Sequence, residues 1–143
     1  MSYEALLAEG KIRREAPDPG SIRDLLADAE RDVSVAAHTI DVDADWTFNI
    51  AYNAVLRGSR AFMLKQGFRP RGHEGHITVV RFLKEVLGEA FAGEVATFDQ
   101  MRRKRNSAVY EASGRIGKPE AEQAVSFARG FVGKIRGLIG ESE

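Results

Sequence analysis

A chain of 143 residues is long enough to bury a sizeable apolar core as one domain, without disulfides or a structural metal to hold it. Its 21 Lys and Arg balance 21 Asp and Glu, which excludes a general polycation and leaves any anion binding to local clusters of charge. The absence of cysteine removes thiol nucleophiles, thiolate metal sites and a disulfide framework. With no basic-then-apolar leader and no apolar run near the roughly 18 residues of a membrane span, the expectation is a cytoplasmic protein off the membrane.

Residues 1–20 read as an arm or short amphipathic helix closed by the turn Pro17-Asp18-Pro19-Gly20. Ser21, with Asp24 three residues on, is placed to cap a helix over about 22–40, whose stripe is Ile22, Leu25, Leu26, Ala29, Val33 and Ala36. Asp43 or Asp45 caps a third helix, about 45–66, stopped by Gly67. That helix looks central. It is apolar on more than one face (Trp46, Phe48, Ile50, Val55, Leu56, Phe62, Met63, Leu64), and Ala51, Ala54, Gly58 and Ala61 would let a neighbour come close. Arg57 and Arg60 on it read as surface or dimer-rim charges, Asn53 as a core amide, and Trp46 and Tyr52 as core or interface aromatics. FRPRGHEG, residues 68–75, is expected as a loop before a helix over about 76–87. Another helix follows over about 94–112. Pro119 fits the first turn of a last one, ending near Ile139, in which Gly130, Gly133 and Gly137 suggest tight packing. Helical spacing throughout, with no alternating β-branched runs, predicts an all-α, five- to six-helix up-and-down bundle over residues 1–143.

The fifth of these segments carries the chemistry. Its apolar seam runs Val95, Phe98, Met101 and then Arg105, where a hydrophobe is expected. A guanidinium in a helix–helix seam costs several kcal/mol unless it is paired, so Arg105 is either a structural ion pair or the floor of a ligand site. At 100° per residue, Arg103, Asn106 and Tyr110 fall within about 60° of one another, and Arg102 lies one turn before Asn106. Guanidiniums, an amide and a phenol together suit a phosphodiester. The plainer reading is a solvated charge run in which Asp99 pairs with Arg102 or Arg103. His73-Glu74-Gly75-His76 lacks both the HExxH spacing and a third ligand, so no metal and no cofactor is expected. Arg69 and Arg71 before it could form a secondary basic lip for RNA or nucleotide.

Arg105-Asn106-Ser107-Ala108-Val109-Tyr110 resembles the Arg-Asn-led motif of the HEPN superfamily, with Tyr110 where that motif ends in His. FNIAYNAVLRGSRAFMLKQGF (48–68) and RPRGHEGHITVVRFL (69–83) are similar to prokaryotic members in the same order, so the likeness spans about residues 45–138. The resemblance implies a helical bundle that forms a homodimer around a shared cleft. It further implies a toxin-type, metal-independent ribonuclease, with a minimal nucleotidyltransferase antitoxin as partner, or else a non-catalytic nucleotide- or RNA-binding partner of that enzyme. In that picture Arg105 stabilises charge on the phosphate, Asn106 positions it, and Tyr110 stands in the catalytic place. Arg102, Arg103, Arg69 and Arg71 would hold RNA. A phenol with a pKa of about 10 is a poor base at neutral pH. Tyr110 is therefore also a candidate acceptor for a nucleotidyl group, and His76 a substitute for the motif histidine if its loop folds over the cleft.

Overall fold

The computed structural model describes residues 3–72, 75–110 and 116–141, with the side chains at 107–110 and 141 excepted. Among the described residues there are six α-helices: α1 (Tyr3–Ala8), α2 (Pro19–Thr39), α3 (Ala44–Lys65), α4 (Gly75–Leu87), α5 (Ala92–Tyr110) and α6 (Lys118–Glu141). A 3-10 turn, Gly88–Phe91, links α4 to α5. The bundle architecture is as the sequence implies. Among the described residues no helix is long and apolar enough to cross a membrane.

The start of α2 differs from expectation. Asp18 is the cap: its carboxylate accepts from Gly20 N at 3.3 Å and from Ser21 Oγ at 2.6 Å, and Pro19 opens the helix. Proline suits a first-turn position because it has no N–H to leave orphaned. α3 begins as read, with Asp43 Oδ1 accepting from Trp46 N at 3.0 Å. It ends at Gly67, whose φ of 92° supplies the left-handed turn and whose N–H closes on Leu64 O at 2.9 Å.

That turn makes something the helical reading missed. Residues 68–70 are not loop but a short strand, β2 (Phe68–Pro70), paired antiparallel with β1 (Ile12–Arg14) in the register Ile12 with Pro70 and Arg14 with Phe68. Three-residue strands are too short to show alternation, and only their pairing defines them. Leu6 and Ile12 are fully or nearly fully buried, so the first residues are tied into the core.

α3 is the central helix. Its small-residue face packs on α6, where a methyl group added at Gly58 would sit 3.6 Å from Val132, and Ala51, Ala54 and Ala61 are fully buried. Aromatic rings join the layers: Phe62 and Phe68 meet Phe82 of α4, and Phe98 of α5 lies between Tyr52 of α3 and Phe131 of α6. Two expectations fail here. Gly130, Gly133 and Gly137 are exposed, and a methyl group on any of them would meet nothing within 4 Å, so their stripe does not pack inside the bundle. Trp46 is 61% exposed and no core residue, while Thr47 and Phe48 beside it are buried.

Candidate functional site

Along α5 the buried seam of Val95, Phe98 and Met101 presses α5 onto the bundle, and the next seam position is Arg105. It meets α3 at Asn49 and Tyr52, one helical turn apart. Arg105 Nε donates to Asn49 Oδ1 at 2.9 Å, and its guanidinium carbon lies 5.5 Å from the centre of the Tyr52 ring. The amide and the ring face solvate the cation without cancelling its charge.

Tyr52 is fully buried and carries the contact onward, with Oη 3.0 Å from His76 Nδ1 in the first turn of α4. Three helices thus place Arg105, Tyr52 and His76 in a row. Burial pushes the Tyr52 phenol up to about 12, although Arg105, Arg102 and Arg60 pull the other way. The phenol is neutral at physiological pH. Burial first, then the positive charges of Arg60, Arg105 and Arg102, holds His76 below the usual imidazole range, so this ring too is neutral near pH 7. A neutral imidazole bonded to a neutral phenol can accept or donate a proton at its remaining nitrogen, depending on which atom holds the shared hydrogen.

The other cations of the run behave as the plainer reading expected. Arg102 Nε binds Asp99 Oδ1 at 2.9 Å, Arg103 reaches Asp99 Oδ2 at 3.0 Å, and Lys104 lies 3.6 Å from Glu120. Among the described residues Arg105 bonds no carboxylate. Asn106 is exposed, and the Tyr110 side chain lies outside the described residues, as do His73 and Glu74. A cavity of about 290 Å³ beside α5 is lined by Gln100, Lys104, Glu120 and Gln123 and leaves out Arg105 and His76.

Arg69 is separate from this cluster. It sits on β2, 3.6 Å from Glu15, and lines a cavity with Arg60. Arg60 is not the surface charge expected of it. It is half-buried, and its Nε has no hydrogen-bond partner. Arg57 is partly exposed and binds Asp32 of α2 at 2.8 Å. Sequence reasoning passed over Asn49, although a signal was there: positions 49, 53 and 60 fall within about 40° on a helix, a polar strip along an otherwise apolar α3.

The family model for the HEPN domain matches residues 22–138, a span that begins earlier than the motif likeness and takes in α2. Among solved structures the chain is similar to TT1696 from Thermus thermophilus, at 18% identity and a TM-score of 0.62, covering 80% of this chain and 95% of that one. It is also similar to ST0689, an archaeal HEPN homologue, at 16% identity and a TM-score of 0.64, covering 82% and 97%. No curated protein matches the chain. Likeness at these identities speaks for the fold alone, and the same order of helices carries an arginine-led motif at the end of the penultimate one; with the family model spanning most of its length, the chain belongs to the HEPN domain family.

Proposed function

We propose that the chain is the toxin-type member of a pair with a minimal nucleotidyltransferase, working as a homodimer that cleaves RNA without a metal ion at a cleft shared by its two α5 helices. The observation that carries this is the state of Arg105, a partly buried guanidinium satisfied by an amide and a ring and by no carboxylate among the described residues. In this reading Arg105 stabilises the negative charge that develops as a ribose 2′-hydroxyl attacks the adjacent phosphodiester and the P–O5′ bond breaks, leaving a 2′,3′-cyclic phosphate and a 5′-hydroxyl that takes up a proton. Asn106 and Arg103 stand at the exposed rim. His76, neutral and held by Tyr52, moves the proton in place of the histidine that the motif lacks at Tyr110.

Tyr110 in the terminal motif position favours a second reading, in which nucleotide or RNA is bound and not cut. One experiment separates the two: RNA is incubated with the protein in excess chelator, as wild type, Arg105→Ala and His76→Asn. Cleavage that both substitutions reduce about 100-fold or more supports the nuclease. RNA bound intact by wild type and released by Arg105→Ala supports the binding subunit, and neither cleavage nor binding sinks both. Intact-mass measurement after co-expression with a nucleotidyltransferase tests Tyr110 as its acceptor; an unmodified chain counts against that role.

A further inference from the structure

We propose that the cavity of about 460 Å³ lined by α3, β2 and the start of α4 is a second phosphate-binding subsite, with the guanidiniums of Arg60 and Arg69 as its cationic walls. It is distinct from the Arg105 cluster and does not depend on RNA being cleaved there.

Arg60 gives the first reason. Its Nε is buried without a hydrogen-bond partner, and among the described residues no carboxylate pairs with it. A guanidinium nitrogen buried without a partner costs free energy, and a ligand's negative charge at the same guanidinium would offset that cost. Arg69, the opposite wall, lies 3.6 Å from Glu15, and Arg13 approaches the same carboxylate oxygen at 3.6 Å. Glu15 itself lines the cavity and would oppose an anion, yet Arg13 and Arg69 share that one carboxylate and Arg60 adds its own charge, so the described side chains around the opening sum to a positive charge. Gly72, with a φ of 87°, and Gly75, where an added methyl group would touch Arg60 Nη2 at 4.0 Å, line the cavity beside the guanidinium. α4 starts at Gly75, and the positive end of its dipole lies beside Arg60. Guanidinium forks match phosphate oxygens in pairs. The phosphate could be the terminal group of a nucleotide or a diester within an RNA strand. In either case Arg60 also stands near Tyr52 and His76, so one polyanion could extend from this subsite toward Arg105.

The test is an amide NMR titration of the full-length chain, labelled with nitrogen-15, using inorganic phosphate, ADP and a short RNA without terminal phosphates. Saturable shifts at Arg69, Gly72, Gly75 and His76 are expected, with affinity for phosphate falling about tenfold in Arg60→Gln and in Arg69→Gln. It should be unchanged in Arg136→Gln and retained in Arg105→Gln. Arg69 is half exposed, so Arg69→Gln keeps the fold and decides the matter even if Arg60→Gln does not. A response to ADP alone assigns a terminal phosphate, and a response to the RNA assigns a diester. Absence of saturable shifts overturns the subsite. So does binding that survives both Arg60→Gln and Arg69→Gln, including the case where it vanishes in Arg105→Gln and thereby moves to the motif. Loss of RNA cleavage with phosphate binding intact would count against the nuclease and leave this subsite standing.

Discussion

Arginines on two flanks of this bundle are held in opposite ways. Toward α2, Arg57 reaches Asp32 at 2.8 Å, and Arg136 grips Glu30 through two bonds of 2.7 and 3.0 Å, so each guanidinium faces a carboxylate. Toward α4 and α5, among the described residues, Arg105 has an amide and a ring, and Arg60 leaves Nε unpartnered. A cation cancelled inside the protein can serve only the fold. One that is desolvated and not cancelled lowers stability, and the fold carries it where a ligand's charge completes it. The two flanks should therefore respond differently to substitution, in binding on one and in stability on the other.

The largest expected effect is at Arg105. In Arg105→Ala, RNA cleavage or binding should fall about 100-fold or more, while unfolding free energy changes by less than about 1 kcal/mol, because one neutral-acceptor hydrogen bond and one ring contact are lost. Denaturant unfolding alongside an RNA assay checks both. A variant that loses mainly stability would place Arg105 with the structural arginines and erase the contrast.

Arg57→Ala should do the reverse. It strands Asp32, whose side chain is 17% exposed, and should cost about 1–2 kcal/mol with RNA binding intact. Burial, the leading influence, already pushes the Asp32 carboxyl above its ordinary value, against the pull of Arg57. A carboxyl whose folded pKa is raised binds its proton more readily when folded, so the deficit should shrink as the pH falls and the group becomes neutral. Unfolding midpoints at pH 7 and pH 5 measure this; a deficit that grows at the lower pH contradicts the assignment.

His76 gives a smaller effect of opposite sign. Its folded pKa lies below the unfolded one, so below about pH 6.5 the unfolded chain takes up a proton that the folded chain refuses, and stability drops as the pH falls. Replacing His76 with Gln should flatten that slope. An NMR titration in which His76 protonates at or above the ordinary imidazole value would show that neither its burial nor the three arginines act on it as described.

Much of this was legible in the sequence. Asp43, Gly67 and Pro119 marked helix ends because capping and left-handed turns are local chemistry, and the interrupted seam singled out Arg105 because periodicity places residues on faces. The partners were not legible. Which amide or ring meets Arg105 depends on how α3 and α5 cross, and helical spacing within one element does not encode that. The exposed glycines of α6 and the close-packed Gly58 look alike as letters; only the neighbour, Val132 for one and nothing for the other, tells them apart. Arg60 was misread for the same reason, since its burial comes from β2 and α4 folding over it. Ser21 was misassigned as a cap because Asp18, three residues earlier, offers a stronger acceptor and draws the Ser21 hydroxyl to itself.

The smallest expected effect lies within the cancelled set and sharpens what cancellation means. Arg136 and Glu30 have the better geometry, two bonds in a fork, yet their side chains are 54% and 48% exposed. Water screens such a pair and both long side chains lose freedom in making it, so Arg136→Gln should shift stability by no more than about 0.5 kcal/mol despite the shorter contacts. Arg57 should outweigh it because its partner is the less exposed carboxylate, which ranks burial above bond length on this flank. If Arg136→Gln proves as costly as Arg57→Ala, the α2–α6 surface works as a coupled charge network, and the dividing line between the two flanks becomes the presence of any carboxylate at all.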